Sequence, residues 1–285
     1  MEARGGFGSG SPYAASVVLS TFNQPALLER ALLGYARQSR GDFEIIVADD
    51  GSGEETLHLL QKMQSLLPVP LAHVWQPDEG FRKARIVNRA ALCARSAYLI
   101  FSDGDCIPGQ RFVADHLDAG CKGQYVVGGH IRLSEQQTGA LTTGDVERGR
   151  FESWPSPLQR AELWWTHGKS LVYIALGKRR KPKLYGMNFS VDRASFERVN
   201  GFDMTFQNCG REDSDLRNRM QIAGIRARSL WHRARVFHQS HPPNLTRLGW
   251  AEAPAYYNRP HLAPEAPQGL RELGRTAEVL APPGM

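Results

Sequence analysis

Cysteine is scarce. There are four in 285 residues, Cys93, Cys106, Cys121 and Cys209, and no two form a CxxC pair. That spacing excludes a small secreted disulfide framework and reads as free thiols in a reducing compartment. Long hydrophobic runs are missing as well, and no stretch approaches the ~20 apolar residues of a membrane-spanning helix. The opening MEARGGFGSGSPYAAS lacks the apolar core of a signal peptide. Residues 1–14 are therefore expected to be a flexible lead-in, and the protein to be cytoplasmic, either soluble or peripheral at the inner face of the membrane. No internal repeat is present. Glycine is absent from STFNQP, the first strand-to-helix connection, which argues against a nucleotidyltransferase with a Gly-rich phosphate loop. No interleaved aromatic and basic module supports nucleic acid as a partner.

Positive charge is plentiful. Thirty-five Lys and Arg against 29 Asp and Glu give a net charge of +6, which favours nucleotides, phosphorylated sugars or an anionic membrane surface. The densest basic run, GKRRKPK at 177–183, reads as a solvated loop, a lid over a diphosphate or a contact for anionic lipid.

The hydrophobic pattern alternates. AASVVLSTFN, DFEIIVADD, PLAHVWQP and AYLIFSDGD read as strands, separated by helices whose apolar residues recur at 3.6-residue spacing, such as Leu27, Leu28, Ala31, Leu32 and Tyr35 after Pro25. This order predicts an α/β fold, parallel strands with helices on both faces, and a ligand at the carboxyl ends of the strands. After residue 120 the pattern loosens. YVVGGHIRL reads as a strand, 134–183 as loop-rich, REDSDLRNRMQIAG as a helix and ARVFHQSHPP as a final strand.

Those strand ends carry Thr21 and Asn23, then Asp49 and Asp50, then Asp78 to Phe81, then Asp103 and Asp105. In FSDGDCIP, an extended continuation would put both carboxylates on one face, where a cation would relieve their repulsion. A polar turn ending the strand is the other reading of Asp-Gly-Asp.

With these motifs, the sequence resembles the metal-dependent family 2 glycosyltransferases of the GT-A fold, in the branch of the galactosyltransferases and chondroitin polymerases. The resemblance covers roughly residues 15–245. It implies a Rossmann-like, mostly parallel sheet flanked by helices with a smaller mixed region on the acceptor side. One domain would span 15–249, with a nucleotide-binding half at 15–120 and an acceptor half at 121–249, followed by a Pro-rich extension at 250–285. In the nucleotide half, the resemblance implies that Asp50 accepts a hydrogen bond from uracil, that Thr21 and Asn23 line the base and that Phe81 packs on it. Lys83 and Arg85 would approach the diphosphate or hold the aspartates, and Arg85 and Asn88 are expected to face inward. Asp105 would coordinate a divalent metal, with Asp103 on the ribose or the metal's waters. His238 and His241 sit where a further ligand is expected, and imidazole favours Mn²⁺ over Mg²⁺.

The segment GMNFSVDRASFERVNGFDMTFQNCGREDSDLRNRM resembles the acceptor-side element of the same enzymes. There Asp213 would be the general base and Glu212 would hold the acceptor. Acids in a first helical turn also stabilise the helix dipole without catalysing anything. Where relatives have Trp-Gly-Gly, this chain has Cys209-Gly210-Arg211. A stacking platform is lost and a charge gained, which hints at an anionic acceptor. Trp164 or Trp165 could replace the platform, with packing in the core expected for at least one of them. The implied function is inverting transfer from a UDP-sugar to a glycan or lipid-linked acceptor in lipopolysaccharide or other surface polysaccharide assembly. A catalytically silent sugar-nucleotide or glycan-binding module on the same fold is the alternative.

Overall fold

The computed structural model describes residues 11–206, 211–242 and 263–273. In chain order the main elements are β1 (Ala15–Thr21), α1 (Pro25–Ala36), β2 (Phe43–Asp49), α2 (Glu54–Leu66), β3 (Leu71–Trp75), α3 (Lys83–Cys93), β4 (Tyr98–Asp103), β5 (Cys106–Pro108), α4 (Phe112–Ala119), β6 (Gln124–Arg132), α5 (Glu135–Ala140), α6 (Thr143–Glu147), α7 (Pro157–Ala175), β7 (Asn188–Asp192), α8 (Arg193–Arg198), α9 (Glu212–Ile222) and β8 (Arg226–His238).

Among the described residues, all eight strands join one sheet in the order β3-β2-β1-β4-β7-β6-β8-β5. The first four are parallel, as their alternation with helices predicts. Antiparallel β7 then joins β4 to β6, and β8 runs parallel to β6. Strand periodicity sorts the core into two faces. Val17, Leu19, Ile45 and Val47 pack with Leu28 and Leu32 of α1 and Met63 of α2, while Val18, Ile46 and Ala48 pack with Ile86 and Val87 of α3. Short β5 belongs to the first half of the chain but pairs with β8, so the two halves expected to meet at residue 120 share one sheet.

One expectation is corrected here. The stretch 134–183 is not mainly loop. It contains α5, α6 and the 19-residue α7, each opened by a reciprocal capping box: Ser134 with Gln137, Thr142 with Asp145 and Ser156 with Gln159. Of the two readings of FSDGDCIP, the structure shows the turn: β4 does not continue through Asp105. It ends at Asp103, and a turn at Gly104-Asp105 leads into β5.

The second half of the sheet closes tightly. Where β6 and β8 shift register between Gly128 and Gly129, a Cβ on Gly128 would lie 2.1 Å from Asn188 Oδ1 and one on Gly129 2.0 Å from the Trp231 carbonyl oxygen, so neither position tolerates a side chain. The buried amide of Asn188 donates to the carbonyls of Gly129 and Ala234 and accepts at 2.9 Å from His116, stitching β6, β7, β8 and α4 together. The described part of the Pro-rich extension, 263–273, packs on the turn after α8: Ala266 and Leu270 are buried, and their N–H groups donate to the carbonyls of Val199 and Asn200. The expectations for residues 1–10, 207–210, 243–262 and 274–285 lie outside the described residues.

Candidate active site

The site forms where the carboxyl ends of β1, β2 and β4 meet the first turns of α3 and α9 and the end of β8. Because β4 stops at Asp103, its two neighbouring acids diverge. Asp103 accepts from Ser20 Oγ and from Lys83 Nζ, each at 2.6 Å. Asp105 turns the other way, with its Oδ2 at 3.0 Å from His241 Nε2 and 3.6 Å from His238 Nε2. The repulsion inferred from FSDGDCIP is thus relieved in two directions, by an ammonium on one side and imidazoles on the other.

Asp105, His238 and His241 offer one carboxylate oxygen and two ring nitrogens, all within 4.8 Å of one another. Burial opposes the charge on Asp105, yet the imidazoles of His241 and His238 and the Cys106 thiol hold its carboxyl below the usual range. His241 Nδ1 lies 3.0 Å from the Pro242 carbonyl and 3.2 Å from Gln24 Nε2, contacts that hold the ring with Nε2 toward the carboxylate. Behind them Gln239, which is fully buried, pins Asp105 by donating from its backbone N–H at 2.9 Å and its side-chain amide at 3.2 Å to the Asp105 carbonyl. This mixed nitrogen and oxygen donor set fits a divalent ion of the Mn²⁺ type, with further positions left for a ligand.

At the start of α9, Asp213 Oδ2 accepts at 2.8 Å from the Gly186 N–H, leaving Oδ1 buried without a partner. A Cβ on Gly186 would come within 2.7 Å of that oxygen, so glycine is what lets the carboxylate sit there. Glu212 is buried, with Oε2 likewise unpartnered. Burial and the neighbouring Asp213 push its carboxyl up to about 7, and burial raises Asp213 as well. Lys83 opposes both shifts. Burial disfavours its charge, but Asp103, Asp213 and Glu212 together hold its ammonium well above the usual amine range.

The raised Glu212 carries a stability consequence. Its carboxyl titrates near 4.5 when unfolded and about 7 when folded, so the native state binds the extra proton between those values. The cost of ionising it in place grows as pH rises through that window and is complete above about 7. Glu212→Gln is therefore expected to raise the melting temperature at pH 8 and to leave it unchanged at pH 4. Thermal unfolding monitored by circular dichroism at both pH values checks this.

Several expected residues converge here and others do not. Thr21 is buried at the end of β1, and its carbonyl accepts from the Asp50 N–H. Asn23, at φ 46°, braces the loop after β2 through Ser52 and Gly53. Asp50 lies buried at the mouth, accepting from Gln76 Nε2 at 2.7 Å and from the Arg82 N–H at 2.9 Å. Phe81 is half-buried on the connection leading into α3. Asn88 faces inward as expected, but its amide is spent on the backbone of Phe202, donating to the carbonyl at 2.7 Å and accepting from the N–H at 2.9 Å. It holds the turn before α9 and is engaged in scaffolding. Arg85 does not face inward. Its side chain is 40% exposed and lies 3.7 Å from Glu79.

On the acceptor side Arg211 is exposed, at φ 83°, immediately before α9, whereas Cys209 and Gly210 lie outside the described residues. The expectation that Trp164 or Trp165 packs in the core is overturned, because they are 61% and 68% exposed on α7. The aromatic group beside the carboxylates is one that sequence reasoning missed. Tyr185 precedes the Gly186 that holds Asp213, and His130 and Trp231 lie at ring-centroid distances of 5.1 and 5.9 Å from it. Its signal is the Tyr185 that immediately precedes the segment beginning at Gly186.

Comparison with known proteins places this geometry. Residues 16–199 match the profile "Glycosyl transferase family 2", and 175–242 match "N-terminal domain of galactosyltransferase". Validoxylamine A glucosyltransferase of Streptomyces hygroscopicus subsp. jinggangensis is 29% identical over 83% of this chain and 63% of its own length. Chondroitin synthase of Escherichia coli is 25% identical over 80% of this chain and 35% of its own length. The chain thus spans less than two thirds of these curated relatives. Among solved structures, S. aureus TarS 1-349 in complex with UDP-GlcNAc aligns with TM-score 0.58 and 15% identity over 84% of this chain and 61% of that one. The mannosyltransferase PcManGT from Pyrobaculum calidifontis, in complex with GDP-Man and Mn²⁺, aligns with TM-score 0.57 and 18% identity over 81% of this chain and 58% of that one. Sequence and fold agree: the chain belongs to glycosyl transferase family 2 and has the GT-A fold.

Proposed function

We propose that the chain transfers a sugar from a UDP-sugar to a hydroxyl of a glycan or lipid-linked acceptor, with inversion at the anomeric carbon. The setting is surface polysaccharide assembly at the cytoplasmic face of the membrane. The observation that carries this reading is the adjacency of three groups in one cleft: the Asp105, His238 and His241 cluster, the Lys83 and Asp103 pair, and the buried Glu212 and Asp213.

The Gly186 N–H fixes Asp213 Oδ2, so Oδ1 is the oxygen that takes the acceptor hydroxyl's proton. As that proton leaves, the acceptor oxygen bonds to the anomeric carbon and the bond from the sugar to UDP breaks. Glu212, raised to about 7, hydrogen-bonds the acceptor and keeps it aligned. Lys83 offsets the negative charge of Asp103 and the two α9 carboxylates as an anionic donor approaches. Asp50, an acceptor-only group, suits the uracil N3–H, with Thr21 and Phe81 walling the base. Asp105, His238 and His241 would hold Mn²⁺, or less favourably Mg²⁺, and the ion supplies positive charge against the departing diphosphate.

The test is a panel of UDP- and GDP-sugars with oligosaccharide acceptors, read by nucleotide release and by NMR of the new linkage. The expected result is release from a UDP-sugar and an inverted anomeric centre. A retained centre would remove Asp213 from its role. Nucleotide binding without any transfer would favour the silent binding module.

A further inference from the structure

Helix α7 turns an unusual face to solvent. Of its 19 residues only Leu163 and Ser170 are buried. Leu158, Trp165, Val172 and Leu176 recur at spacings of seven, seven and four, which places them along one stripe, and all four are exposed, at 79%, 68%, 54% and 71%. Trp164 and Leu171, also exposed, widen the stripe on one side. A solvated helix face rarely carries this much apolar surface unless something covers it.

The charge beside it identifies the partner. Lys169 lies over the Trp165 ring at 5.8 Å, and the chain leaves α7 directly into Lys178, Arg179, Arg180 and Lys181. No acidic residue occurs between Glu162 and Asp192. Lys178 and Lys181 rest their ammonium groups 5.7 and 5.6 Å from the Tyr173 ring, so the basic loop folds back against the helix end. Loop, α7 and the C-terminal half of α9 border an open pocket of about 520 Å³, lined by Lys178, Arg179, Arg180 and Lys181 together with Asn218 and Gln221. An apolar stripe with aromatic residues, bordered by cations and a basic pocket, matches the interface of an anionic bilayer. No helix among the described residues is long and apolar enough to cross a membrane, so the contact lies in the plane of the surface.

We infer that α7 and the 178–181 loop form a membrane-docking surface, in which the apolar stripe enters the headgroup layer and the basic pocket receives the phosphate of an anionic lipid. Helix α9 links this surface to the reaction: its last turn walls the pocket, and its first turn carries Glu212 and Asp213 about 15 Å away. The inference names the contact surface and stands whether or not the donor is a UDP-sugar.

The experiment is co-sedimentation of the full chain with vesicles of phosphatidylcholine alone and of phosphatidylcholine with phosphatidylglycerol, with tryptophan fluorescence read in parallel. The expected result is binding to the mixed vesicles only, a blue shift of emission and release by salt. Lys178→Glu with Arg179→Glu should weaken binding about tenfold or more, and Trp165→Ser with Leu176→Ser should abolish the blue shift. Because these side chains are exposed, both variants should keep the wild-type melting temperature and nucleotide affinity. Equal binding to both vesicle types, or wild-type binding by both variants, would overturn the inference. So would a lack of vesicle binding combined with a dimer that Trp165→Ser with Leu176→Ser dissociates, which would assign the stripe to a second copy of the chain.

Discussion

Asp105→Ala is expected to abolish divalent-cation affinity and to lower kcat by roughly a thousandfold, the effect of losing several kcal/mol of charge stabilisation at the leaving group. The reasoning is geometric. Asp105 Oδ2 is the atom that both His241 and His238 approach, so its removal leaves two imidazoles with no anionic ligand between them. The fold should survive, because Gln239 grips Asp105 through its backbone carbonyl, which alanine retains. Calorimetric titration with Mn²⁺ and steady-state rates at saturating metal separate the two effects. A variant with wild-type turnover would show that the cluster has no part in transfer.

Asp213→Asn is expected to behave differently. It keeps an acceptor for the Gly186 N–H but cannot take a proton, so transfer should fall by about 10²–10⁴ while nucleotide affinity stays at the wild-type level. The pH profile supplies the second reading. Burial holds both α9 carboxyls above the ordinary range, Glu212 at about 7, so the wild-type rate should climb with rising pH as these carboxyls ionise. In Asp213→Asn that climb should flatten. If donor affinity collapsed together with rate, the acid would be holding the nucleotide and the base would lie elsewhere.

Much of this was legible in the sequence because its signals are local. Strands of the first half announce themselves as short apolar runs, and a residue at a strand end in an α/β pattern is a site candidate by topology alone. The Asp103-Gly-Asp105 spacing, the two histidines and the Glu212-Asp213 pair were all visible, and the structure brings them into one cleft. What sequence could not supply was direction. FSDGDCIP allows a turn at Gly104, but nothing in it tells that the two carboxylates go to different partners. Arg85 and Asn88 sit three apart on α3, yet one meets solvent and Glu79 while the other clamps Phe202, a contact between residues 114 positions apart. Helix α7 was hidden for another reason. Its apolar residues lie on more than one face, with Leu163 buried and Leu158, Trp165, Val172 and Leu176 exposed, so no single face stands out, and the capping box and Pro157 mark its start.

The central claim is that the paired aspartates and the histidines build a metal-dependent nucleotide site. Calorimetric titration of the wild-type protein with UDP, with and without Mn²⁺ and with GDP and CMP as controls, tests it most directly. The account predicts binding that requires the metal and selects UDP. Absence of UDP binding, or binding of equal strength without metal, would contradict it.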